Sequence, residues 1–118
     1  MFVMTLNLTA LATAEDLFVP MPEGITCRLI KADTAIYTAL TSADAVITFS
    51  DGTTDIGTVT ITQSGCAEGD VDHMVADTTS EGKVALGGAT ELKIELDGGP
   101  DAGAAILVLT FDEFHADN

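Results

Sequence analysis

The chain has 118 residues, enough for one domain with one continuous core, and sets 19 carboxylates against four basic side chains (Arg28, Lys31, Lys83 and Lys93) for a net charge of −15. A surface of that sign excludes nucleic acid and anionic membrane as partners, because phosphate binding needs clustered Lys and Arg. It suits high ionic strength, where like-charge repulsion is screened within about 3 Å at 1 M salt. With no Trp, one Tyr and five Phe, the core is expected to be mainly aliphatic.

The first 14 residues alternate, with Phe2, Met4, Leu6 and Leu8 on one side and Val3, Thr5, Asn7 and Thr9 on the other, which predicts a strand over Phe2 to Ala10. The stretch lacks the basic start of a signal peptide and is expected to belong to the folded protein. A second strand is predicted over Asp16 to Val19, ended by Pro20 and Pro22, which cannot donate to a central ladder. Ile25 to Lys31 alternates again, and a looser register continues from Ala35 to Leu40. Ala45 to Phe49 and Ile56 to Thr62 flank Asp51-Gly52, a hairpin signal. Gln63 to Gly88, rich in glycine and carboxylates, reads as a long loop with short extended pieces near Val71 to Val75 and Lys83 to Leu86. Glu91 to Leu96 alternates as a half-exposed strand. Beyond the turn at Asp97-Gly98-Gly99-Pro100-Asp101, Ala104 to Phe111 is apolar on both faces, so it is expected at the centre of a sheet or under a neighbouring subunit.

No 3.6-residue period is sustained, and no segment reaches the roughly 18 continuous apolar residues of a membrane span. Seven or eight turn-punctuated strands predict an all-β protein built as an antiparallel two-sheet β-sandwich, with a jelly roll among the arrangements that fit. The whole of residues 1–118 is expected to form that one domain, with 1–22 as an N-terminal docking segment.

Chemically, the inventory is thin. Cys27 and Cys66 stand alone, without CxxC spacing, so free buried thiols are favoured and a single disulfide is the alternative. Asp70-Val71-Asp72-His73 offers oxygen and nitrogen ligands, yet on a strand His73 points away from the carboxylates, so an acidic loop is preferred to a metal site. The Asp51 to Asp55 and Asp97 to Asp101 segments resemble pieces of calcium loops but lack the terminal bidentate Glu, and read as turns. Only His73 and His115 could serve a hydrolytic triad, and no GxSxG elbow accompanies them. Carboxylate pairs for sugar hydrolysis lack the stacking aromatics, Tyr37 aside. No catalytic residue, metal or cofactor is therefore expected, and the protein is not expected to be an enzyme.

Three segments, Ala43-Asp44-Ala45-Val46-Ile47-Thr48, Gly57-Thr58-Val59-Thr60-Ile61-Thr62-Gln63-Ser64-Gly65 and Ala67-Glu68-Gly69-Asp70-Val71-Asp72, carry a resemblance. Leu92-Lys93-Ile94 and Ala104 to Leu109 extend it across residues 25 to 113. The chain resembles the small β-sandwich decoration, or cement, proteins of tailed-bacteriophage capsids, and departs from them at Cys66 and over His73 to Lys83. The resemblance implies a subunit, commonly a trimer, on the outer surface of an icosahedral head in the virion, clamping the major capsid protein without catalysis or cofactor. Phe2, Met4, Leu6, Phe18 and Met21 are the expected capsid or subunit contacts. A receptor- or carbohydrate-binding module of a phage tail or fibre, with calcium in the acidic loops, is the alternative.

Overall fold

Alternating side chains commit each strand to one buried row, and the pairing of those rows builds two layers. The computed structural model describes residues 1–77 and 84–113. Its strands are β1 (Phe2–Leu8), β2 (Glu15–Val19), β3 (Thr26–Thr41), β4 (Ala45–Ser50), β5 (Asp55–Ile61), β6 (Val71–His73), β7 (Val75–Ala76), β8 (Leu86–Gly87), β9 (Leu92–Leu96) and β10 (Ala102–Glu113). No helix occurs among the described residues. His115, Lys83 and the first part of the Lys83 to Leu86 piece lie outside them.

The first sheet runs β1-β10-β3-β6, with β8 also on β3, and the second runs β2-β9-β4-β5-β7. Every pair is antiparallel. Outer elements of the chain pair with one another and inner ones nest between them: β1 with β10, β2 with β9, β3 with β6, β4 with β5. One long antiparallel hairpin rolled over itself gives this order, which is that of a jelly roll. The two central strands of the first sheet are the long ones. At about 3.3 Å per residue, the 16 residues of β3 extend about 50 Å, matching the 48 Å long axis of the molecule.

Between the sheets lies one aliphatic core. Leu29, Ile36, Leu107 and Leu109 come from the first sheet; Ile47, Val59, Leu92 and Ile94 meet them from the second. Phe49 and Phe111 are its two fully buried aromatic rings, and Phe2 stacks on Phe111 with centroids 4.9 Å apart.

Several expectations change. The described residues form ten strands against the expected seven or eight; β6 and β7 lie where an extended piece near Val71 to Val75 was expected, and β8 starts at Leu86, the end of the other expected piece. Ile25 to Lys31 and Ala35 to Leu40 are parts of one strand. The register against β10 shifts between Leu29 and Lys31 and again between Ile36 and Thr38, so the buried row changes phase and the alternation is interrupted. Residues 1–22 supply β1 and β2, which are the outer strands of the two sheets. Cys27 and Cys66 are both free, the first buried and the second half-buried. They sit near opposite ends of β3, where Leu40 N–H donates to Cys66 Sγ at 3.4 Å. Thirteen residue steps along β3 separate Cys27 from Leu40, about 40 Å, far beyond the roughly 7 Å between α-carbons that a disulfide tolerates.

Candidate functional site

The outer faces of the two sheets differ in what they offer. On the first sheet, cross-strand register aligns Thr5, Val108, Asp33 and His73 in one row and Asn7, Ile106, Ala35 and Val71 in the next. Val3 and Val71 are 58% and 54% exposed on that face, and Ile106 and Val108 are half-buried between them. Tyr37, 40% exposed, reaches across β10 and donates its hydroxyl to Asn7 Oδ1 at 2.5 Å. The result is a strip over β1, β10, β3 and β6 in which apolar side chains alternate with Thr5, Asn7, Asp33 and His73. Within it His73 Nδ1 and Asp33 Oδ1 lie 2.6 Å apart, a contact that ties the short β6 to β3.

The outer face of the second sheet is polar across its middle and apolar at its two edges, where Phe18 of β2 and Val75 of β7 are 58% and 75% exposed. Thr48, Thr58 and Thr60 occupy the middle, and a shallow groove of about 550 Å³ over β2, β9 and β4 is lined by Glu15, Asp16, Glu95 and Asp97 together with Val46 and Thr48. Asp16 and Glu95 face one another directly across the β2–β9 pair, a like-charge contact that costs stability. Lys93 Nζ at 3.8 Å from Asp16 offsets part of it. No group of three or more His, Cys, Asp or Glu among the described residues is placed to hold a metal ion.

The acidic motifs serve local structure. Asp51 Oδ1 accepts from the N–H groups of Thr53 at 2.8 Å and Thr54 at 2.6 Å, closing the β4–β5 turn, and these bonds hold its carboxyl below the usual range. Gly52 supplies the positive φ of 97° in that turn. Asp97 Oδ1 accepts from Val46 N–H and Gly99 N–H, both at 3.1 Å. Asp70 Oδ2 accepts from Ala67 N–H at 2.9 Å. Asp72 pairs in register with Thr34 on the inner side of β3, while His73 faces outward with Asp33, so the three side chains of the Asp70 to His73 motif do not converge. Partial burial, with the charge of Asp70 adding to it, pushes the Asp72 carboxyl up. Thr34 Oγ1 beside it is buried without a hydrogen-bond partner.

Of the five expected contact residues, Phe2, Met4, Leu6 and Met21 are half-buried and lie against the core. Met21 also accepts the Cys27 thiol hydrogen on Sδ at 3.3 Å, and burial pushes that thiol's pKa up, with the charge of Glu113 second. Phe18 alone of the five is exposed, at 58%, on the outer face of β2. The apolar strip on the first sheet was missed residue by residue. Its one sequence signal was the doubly apolar run of β10, whose central place between β1 and β3 the structure shows.

Fold and surface together define an acidic jelly-roll β-sandwich protein whose first sheet carries apolar side chains on its outer face. Comparison with protein-family models, with curated proteins and with solved structures gives no match to the chain.

Proposed function

We propose that this protein is a structural component of a tailed-bacteriophage head: a decoration protein that binds the outer surface of the icosahedral shell through the major capsid protein and stabilises it. The observation that carries the reading is the first sheet's outer face, where Val3, Tyr37 and Val71 stand exposed beside half-buried Ile106 and Val108 on a chain of net charge −15. An apolar sheet face of that kind is the mark of a contact surface. The jelly roll supports the same reading, since capsid proteins are among the recurrent users of that architecture, and so does the resemblance of its strand segments to cement proteins. The role is mechanical, with no catalysis and no cofactor.

Many copies on a lattice make weak contacts sufficient, because each repeats and the assembled shell is the only state that satisfies all of them. A protein that binds the assembled shell and not the dissociated subunits stabilises the shell by mass action. The direct experiment is co-sedimentation of the purified protein with undecorated phage heads at micromolar concentration. Saturable co-sedimentation and a raised temperature of head disruption are expected; protein left wholly in the supernatant would sink the proposal.

A further inference from the structure

Each sheet has edges, and the chain treats them unequally. A free edge strand presents unpaired N–H and C=O groups, and proteins blunt such edges with charge, proline, bulges or shortness. At one edge of the second sheet, β2 carries Glu15 and Asp16 and runs into Pro20 and Pro22; at the other, β7 has two residues. On the far side of the first sheet β6 has three residues, with Asp72 and His73 among them, and β8 has two. β1 has none of these devices. It is seven residues long, pairs with β10 without a register shift, and contains neither proline nor charge. It lies inside Met1 to Ala14, the longest run without a charged side chain in the sequence.

Two further features say what covers this edge. Phe2, Met4 and Leu6 point toward the core but stay half-exposed, because nothing among the described residues continues the sheet beyond them. The partner must also tolerate a chain of net charge −15. For a second copy, β1 is the one long edge where two such chains can meet without setting carboxylate against carboxylate.

We infer that β1 pairs antiparallel with β1 of a second copy across a two-fold axis, joining the two first sheets into one continuous sheet. Residues opposite each other in an antiparallel pair face the same side, so a two-fold register must place a residue opposite itself. Only the register centred on Thr5 pairs all seven residues, setting Phe2 against Leu8, Val3 against Asn7 and Met4 against Leu6. The half-exposed inner row then gains a neighbour, and the Val3 edge of the outer apolar strip continues into the second copy. The interface is isologous and closes at two copies. It stands independently of the capsid reading, which implies a trimer.

The test is sedimentation velocity of the full chain over a series from about 1 μM to about 1 mM, in 0.1 M and in 1 M salt. The expected species has twice the 12.2 kDa chain mass. Its fraction rises with salt, because screening reduces repulsion between two acidic bodies. Thr5→Lys and Thr5→Glu each place like charges face to face and are expected to weaken the dimer at least tenfold, while an equimolar mixture of the two restores it as a heterodimer. Thr5 is exposed, so at concentrations where all are monomeric both variants should melt with the wild type. Hydrogen exchange on the wild type reads the edge without any substitution: alternate amides of Phe2 to Leu8 should become protected as the dimer fills. A monomer throughout the series, a trimer, indifference to Thr5→Lys, or unchanged exchange in β1 would each overturn the pairing, whatever the result with phage heads.

Discussion

The two sheets are built alike on the inside and differently on the outside. Each sends a row of aliphatic side chains and one buried Phe into the shared core, Phe111 from the first and Phe49 from the second. Outside, the second sheet shows threonine and carboxylate across its middle with Phe18 and Val75 at its edges, whereas the first carries Ile106 and Val108 on its central strand with Val3, Tyr37 and Val71 around them. An inner face is constrained by the requirement to exclude water, so both sheets meet it in one way; an outer face is free, and its composition therefore reports what it meets. The inner equivalence is the first thing to break. Phe49→Ala and Phe111→Ala each remove a fully buried ring and should each cost about 3–5 kcal/mol in urea denaturation. A loss below about 1 kcal/mol at either site would mean that one layer collapses around the void and that the two are not equivalent.

The outer difference is tested by adding the same charge to each face. Val71→Asp on the first sheet should weaken binding to undecorated heads at least tenfold, about 1.4 kcal/mol, while Thr60→Asp on the second leaves it unchanged. Both positions are exposed, so neither change should unfold the protein. Equal effects in co-sedimentation would erase the distinction between the faces.

That distinction was only partly legible in the sequence. Alternation and turn signals located β1, β2, β4, β5 and β9 to within a residue or two at most ends, since a half-buried strand writes its two faces into the chain with period two, whereas β10 showed itself by a run apolar on both faces. It did not say which face is inner where both are apolar. In β1 the chosen row, Phe2, Met4 and Leu6, is the inner one, and the outward apolar residue is Val3. β3 was broken in two because its bulges shift the phase, and β6 to β8 were too short to show any period. The nesting of β1 on β10 and β2 on β9 joins residues far apart in the chain, and no local pattern encodes it. The same holds for the His73–Asp33 pair, whose members lie 40 residues apart.

Inside the core, one polar group separates the layers. Thr34 of β3 is buried at 1% exposure and its Oγ1 has no hydrogen-bond partner. Thr34→Val replaces the hydroxyl with a methyl of nearly the same size, removing a desolvated group that contributes no bond. The expected result is a gain of about 1 kcal/mol and a melting temperature higher by a few degrees. No gain, or a loss, would mean that the hydroxyl is satisfied in solution by a group such as water.

Two aspartates, one on each sheet, should respond to pH with opposite sign and the smallest amplitudes. In the β4–β5 turn, backbone N–H bonds from Thr54 and Thr53 lower the Asp51 carboxyl, so its contribution to stability is present above the unfolded value near 3.9 and is lost as pH falls through the folded one. Asp51→Ala should therefore cost most at pH 7, and its deficit should shrink in acid. On β6 the Asp72 carboxyl is raised, chiefly by burial and then by Asp70, so the folded state takes up the proton more readily than the unfolded chain. Its contribution is full below about 3.9 and is lost as pH rises through the folded value. Asp72→Asn should then stabilise the protein at pH 7, by less than Thr34→Val does, with the gain disappearing below about pH 4. Thermal melts of the two variants should depart from wild type in opposite directions at pH 7 and converge on it toward pH 3; differences that stay constant across that range would show that neither carboxyl senses its surroundings in the fold.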